Sequence, residues 1–166
     1  MAIPSRQSNS HETPQYRRMF FVTTKTSMGR RLLEADLFAE MFVDVLRKSM
    51  AAGRFEVHDF VVMPDHVHLL LSVGEGVSIE KAVQFVKGGF SYRVKKELGY
   101  NGEVWQRGFS EVQVVGGDSL EQHRRYIALN PERAGLVGPG GEYRWCFESL
   151  RKRKAQGLKP LSTGGT

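Results

Sequence analysis

Cysteine is almost missing from this chain of 166 residues. Cys146 is the only one. No internal disulfide can form, which fits a reducing compartment, and a zinc site built from several thiolates is excluded. Long apolar runs are missing too. None approaches the roughly 20 residues of a membrane span. The opening MAIPSRQSNSHETPQYRR has no apolar stretch and does not read as a secretory signal. Internal repeats are absent. These features predict a cytoplasmic protein with no membrane partner. Acidic residues are outnumbered, 18 Asp and Glu against 24 Lys and Arg, for a net charge of +6. A basic excess favours polyanions without choosing among DNA, RNA and an anionic surface.

What remains is ordinary for a globular domain: 40% hydrophobic and 25% charged residues, enough for one core. Residues 1–16 are polar, hold Pro4 and Pro14, and are predicted to be disordered. Residues 17–150 form the domain, and 151–166 read as a basic, flexible tail.

Between the tails, strand and helix signals alternate. MFFVTTKT (19–26) reads as a strand. Asp36 is the expected N-cap of a helix whose Phe38, Met41, Phe42, Val45 and Leu46 recur at helical spacing, and Gly53 ends it. FEVHDFVVM (55–63) and HVHLLLSV (66–73) read as strands joined by a Pro64-Asp65 turn. Ser78 can cap a long helix striped by Ile79, Val83, Val86, Phe90 and Val94. VWQRGFSEVQVV (104–115) predicts a fourth strand. A last helix is expected to open with a capping box of Asp118 and Glu121 and to stop at Asn130, before Pro131. The order β-α-β-β-α-β-α predicts an α+β, ferredoxin-like antiparallel sheet with helices on one face and an additional C-terminal helix carrying Tyr126.

Two segments can carry chemistry. In MPDHVHLLL, side chains alternate faces, so His66 and His68 point one way and Val67 the other. Two imidazoles about 7 Å apart along a strand can bind one divalent ion. They are also compatible with two unrelated histidines near a strand start. In RRYIALNPERAGL, Tyr126 and Asn130 are four apart and share a helix face. A tyrosine hydroxyl can attack a phosphodiester, with help from a base or a metal because its ordinary pKa is about 10. Asn130 offers a carbonyl oxygen to a metal. Equally, Tyr126 can pack on the sheet and Asn130 simply precede Pro131.

Arg17, Arg18, Lys87, Arg93, Arg124 and Arg125 are candidate phosphate contacts within a charged surface. Gly88 and Gly89, inside a helix pattern, cost about 1 kcal/mol each relative to alanine. Close packing on the sheet or close approach of a DNA backbone would account for them. Trp105 and Phe109 are open to base stacking or to the core, with Phe109 favouring the core. His123, one turn before Tyr126, is open to a role as base or to simple exposure, with exposure favoured.

MPDHVHLLL, KGGFSYR, VWQRGF and YIALNPERAGLV, in that order, resemble the single-tyrosine HUH transposases, and within them the REP-associated tyrosine transposases and their insertion-sequence relatives. The resemblance runs from about Tyr16 to Trp145. It implies that His66 and His68 bind Mg²⁺ or Mn²⁺, that Tyr126 is the nucleophile, and that Asn130 stands where relatives often place a Gln as third metal contact. Asp65 stands where the family often has Asn, with no consequence apparent from the sequence. The implied activity is metal-dependent cutting and rejoining of single-stranded or hairpin DNA through a 5′-phosphotyrosine. The implied assembly is a homodimer sharing sites in trans or a monomer. A domesticated repeat-processing nuclease, a non-catalytic single-strand binder and a metal hydrolase of small phosphoesters are the competing readings.

Overall fold

The Pro64-Asp65 turn lets two apolar strands fold back on each other, and the rest of the sheet grows from that hairpin. The structure, a computed structural model, describes residues 18–155. Its strands are β1 (Arg18–Lys25), β2 (Glu56–Met63), β3 (His66–Val73) and β4 (Ser110–Val114). Their spatial order is β2-β3-β1-β4, and every neighbouring pair is antiparallel. The helices are α1 (Asp36–Ala51), α2 (Ile79–Leu98), α3 (Gly117–Arg133) and α4 (Phe147–Ala155). Each β-α-β passage skips one central strand, so the fold is the ferredoxin-like α+β arrangement that the sequence predicts.

The two sheet faces have different tasks. Val67, Leu69, Leu71 and Val73 of β3 join Phe42, Leu46, Val83, Val86, Phe90 and Val94 of α1 and α2 in the main core. The opposite face carries a smaller apolar group, Val61, Met63, Leu70 and Val114, capped by Ile127 of α3. The tyrosine-bearing helix therefore lies across the sheet from the other two long helices. His66 and His68 share its face, because side chains alternate along β3.

Several local expectations hold. Ser78 accepts a hydrogen bond from the Lys81 backbone N–H at 3.0 Å and caps α2. Gly53, at φ +76°, closes α1 by donating its N–H to the Met50 carbonyl. Gly89 packs against α1: a Cβ there would lie 3.2 Å from Val45 Cγ1, so this glycine serves helix–helix approach and not the sheet.

Others differ for physical reasons. Asp36 is the first residue of α1, after Ala35, and its carboxylate accepts from Arg144 and from Trp145 Nε1 instead of capping. The strand expected over 104–115 is confined to Ser110–Val114. Gly108 turns at φ +80° and the Lys87 ammonium holds the carbonyls of Gln106 and Gly108, so before Ser110 the pairing is reduced to an isolated Thr26–Trp105 bridge and the Gln106 N–H bond to the Lys25 carbonyl. Gly116 occupies the N-cap of α3, so Asp118 and Glu121 form no capping box, and Asp118 instead lies in the first turn, where the helix dipole favours an acid. Pro131 does not stop α3. The helix continues to Arg133, and the Ala134 and Leu136 N–H groups reach the Asn130 and Pro131 carbonyls. One interior hydrogen bond is lost to the proline, near an end where few remain to be made.

Residues 151–155, placed in the tail by sequence, are the second half of α4. The segment before α4 straps the edge of β2. Val62 N–H donates to the Trp145 carbonyl at 2.8 Å, and Tyr143 Oη donates to the Val62 carbonyl at 2.8 Å. Residues 1–16, the rest of the tail and Arg17 lie outside the described residues.

Candidate active site

His66 and His68 open β3 directly after the turn, and their rings stand 4.8 Å apart, centroid to centroid, on one face. Each ring has its Nδ1 occupied. Asp65 Oδ1 lies 2.7 Å from His66 Nδ1. A carboxylate only accepts, so that nitrogen carries a proton, and in the neutral ring the lone pair is then on Nε2. Thr23 Oγ1 lies 2.7 Å from His68 Nδ1, a pairing set by the β1–β3 register that places Thr23 opposite His68. Burial pushes the His68 imidazole down to about 3, with the charges of His66 and Lys25 acting the same way. His68 is thus neutral at physiological pH and able to donate a lone pair.

Phe21 is the floor of the site. It sits two residues before Thr23 on β1, and three rings rest on it: His68 at 5.2 Å, His123 at 4.7 Å and Tyr126 at 5.8 Å. The Tyr126 ring meets the His68 ring edge-on at 5.3 Å. Tyr126 is 41% exposed. The Arg133 guanidinium lies 5.4 Å from the Tyr126 ring. His123 is half-buried, not exposed, and its Nδ1 donates to the Ser119 carbonyl at 2.8 Å.

Asn130 is buried on the sheet-facing side of α3, beside Ile127. Its amide points along its own helix, to the Tyr126 carbonyl at 3.5 Å, the outer limit of a hydrogen bond. Among the described residues, no three or more His, Cys, Asp and Glu side chains form a metal-binding group. The donors at hand are two imidazoles with Nε2 unspent on local partners. Two imidazoles are a donor set that a divalent ion accepts.

The basic residues divide sharply. Arg18 donates to the Val77 carbonyl at 2.9 Å. Lys87 holds two carbonyls of the 104–109 segment. Arg93 is ion-paired with Asp44 and Glu97. All three secure the fold. Arg124 and Arg125 are exposed on α3, with Arg125 only 4.0 Å from Glu121. Trp105 is 8% exposed, donates from Nε1 to the Lys87 carbonyl and packs with Phe42 and Phe90, so it offers no face to a base. Phe109 is half-buried against the main core.

Sequence reasoning passed over Thr23, Phe21 and Arg133. Alternation along β1 puts Phe21 and Thr23 on one face, a signal present in the sequence. Only the strand register shows that this is also the histidine face. Arg133 is one turn beyond the expected helix end, where no side-chain direction could be inferred.

A ferredoxin-like sheet with a histidine pair and a half-exposed tyrosine on one face defines a narrow class of protein. A family described as "Transposase IS200 like" matches residues 13–130, and the chain belongs to that family. It is 27% identical to the REP-associated tyrosine transposase of Escherichia coli strain K12, over 67% of this chain and 64% of that protein. It thus spans a little under two thirds of that relative's length. It is 33% identical to the ISDra2 transposase TnpA of Deinococcus radiodurans, over 54% of this chain and 67% of the relative. A solved structure of the REP-associated tyrosine transposase bound to a REP hairpin shares the fold, with TM-score 0.64 and 22% identity over 93% of this chain and 92% of the other. A transposase structure from Deinococcus radiodurans aligns with TM-score 0.52 and 24% identity, covering 68% and 90%.

Proposed function

We propose that this chain is a metal-dependent single-strand DNA endonuclease and strand transferase, acting on DNA next to a hairpin. The observation that carries the reading is the convergence, in one chain, of Tyr126 on His68 and of His68 on His66. A non-catalytic binder has no use for all three, and a hydrolase of small phosphoesters leaves the tyrosine without a task.

His66 and His68 would hold Mg²⁺ or Mn²⁺ through Nε2, with Asn130 a candidate further donor. The ion would polarise and orient the scissile phosphate. Asp65 and Thr23 keep the two imidazoles turned toward it. Phe21 and Ile127 seat the tyrosine helix, so the Tyr126 hydroxyl is held for in-line attack, where positioning supplies much of the rate. The Tyr126 oxygen bonds to phosphorus as the bond from phosphorus to the 3′ oxygen breaks. The tyrosine gives its proton to solvent water and the 3′ oxygen takes one from solvent water. The products are a 5′-phosphotyrosine and a free 3′-hydroxyl, and that hydroxyl, or one on another strand, reverses the attack to rejoin DNA.

Arg124, Arg125 and Arg133, all on α3, are assigned to phosphate contact. The working unit is the domain expected over residues 17–150, extended through the end of α4 at Ala155, acting in cis and in the cytoplasm. Incubating the full chain with a library of single-stranded hairpins and Mn²⁺, then scoring adducts on a denaturing gel, tests the reading. A Mn²⁺-dependent protein–DNA adduct supports it, and DNA binding without any adduct across the library points to a binder.

A further inference from the structure

We propose that Asp65 is a positioning residue for the metal centre, fixing the His66 tautomer and adding outer negative charge. This rests on the assignment of His66 and His68 as the metal-holding pair.

The carboxylate is built into place. Its Oδ1 lies 2.7 Å from His66 Nδ1. The backbone of the turn is tied down from the β1–α1 connection: Thr26 N–H donates to the Asp65 carbonyl at 3.0 Å, and Leu33 N–H donates to the Pro64 carbonyl at 2.9 Å. Met63 and His66 face each other across the hairpin and close the turn. Asp65 therefore meets the imidazole as part of a braced loop, not as a passing surface pair.

The side of the ring it occupies decides its role. Asp65 bonds Nδ1, across the ring from Nε2, so it acts on a bound ion from outside the ligand set. It holds the proton on Nδ1, leaves the lone pair on Nε2 and makes that nitrogen a better donor. The two histidines are treated differently. His68 is 5% exposed and receives a neutral hydroxyl from Thr23. The Asp65 side chain is 43% exposed and meets His66 with a carboxylate instead of a hydroxyl. A centre whose protein ligands are neutral gains from one negative charge just outside it. An amide at this position would accept the same hydrogen bond without the charge, so orientation and charge are separable.

The test uses the full chain without DNA. Imidazole tautomers are read from long-range ¹⁵N–¹H correlations in the metal-free protein, and Mn²⁺ affinity from EPR titration. The wild type and Asp65→Asn should show His66 protonated on Nδ1, while Asp65→Ala should lose that preference. Mn²⁺ binding should weaken by about 10–100-fold in Asp65→Ala and by less in Asp65→Asn. Either readout unmoved in Asp65→Ala overturns the proposal. His66→Ala separates the two levels of inference. If it abolishes Mn²⁺ binding while Asp65→Ala binds like the wild type, the Asp65 role fails and the histidine pair stands. If the wild type binds no Mn²⁺, or His66→Ala binds as well as it, the pair itself fails and this proposal with it.

Discussion

Tyr126 and His68 belong to the same chain, and their rings meet edge to face at 5.3 Å. A site completed within one protomer should not need a second. The expected outcome is that a mixture of Tyr126→Phe and His68→Ala proteins, each inactive alone, forms no DNA adduct. Adduct formation restored in the mixture would show that the tyrosine is supplied across a dimer.

Charge on the surface of α3, not the total charge, should govern DNA binding. Replacing Arg124, Arg125 or Arg133 by Ala should lower affinity. For each that neutralises a phosphate, the log–log salt slope on single strands should shrink by about 0.7. Arg93→Ala should leave the slope unchanged and lower the melting temperature, because its guanidinium is spent on Asp44 and Glu97. Fluorescence anisotropy at several salt concentrations reads both. An equal loss of slope in Arg93→Ala would return that residue to the DNA interface.

Two groups that the fold desolvates, buried His68 and half-buried Asp59, make stability depend on pH in opposite directions. His68 is pushed down to about 3, below its unfolded value of about 6.5, so the folded state refuses a proton that the unfolded chain accepts. Stability is then lost as pH falls from about 6.5 toward 3. Asp59 is pushed up to about 6, chiefly by burial, with Glu148 adding to the shift and the Phe60 N–H and Arg124 opposing it. Its folded form keeps a proton that the unfolded chain releases near 3.9, so stability is lost as pH rises from about 4 through 6. Asp59→Asn removes the second effect alone. It should melt higher than the wild type at pH 8 and close to it at pH 4. A variant less stable than the wild type at pH 8 would mean that the carboxylate's attraction to Arg124 outweighs its burial.

The periodicities carried most of the fold. β3 reads correctly because its alternation places Val67, Leu69 and Leu71 in one layer and His66 and His68 in the other. The Ser78 cap reads correctly because its bond to Lys81 is local. Asp36 and Pro131 misled because tertiary contacts decide them: Asp36 is claimed by Arg144 and Trp145 from more than 100 residues away, and Pro131 sits where one more turn is tolerated. The same reason hid half of the site. Nothing local tells Lys87 that its ammonium will hold Gln106 and Gly108, or tells Thr23 that strand register will set it against His68. Asp65 was in plain view, next to His66, but its effect depends on the geometry of the turn.

The central claim is that Tyr126 becomes covalently joined to DNA. Its competitors among the described residues are placed elsewhere. Tyr143 is pushed up to about 12 by burial and donates to the Val62 carbonyl. Tyr100 packs edge-on against Phe38. Tyr92 is exposed on α2, which packs on the opposite sheet face. The most direct measurement is peptide mapping of the adduct formed with hairpin DNA and Mn²⁺, alongside Tyr126→Phe. The account predicts DNA on the peptide containing Tyr126 and no adduct from the Phe variant, which should still bind hairpin and Mn²⁺. DNA mapped to another tyrosine, or an undiminished adduct from Tyr126→Phe, would contradict it.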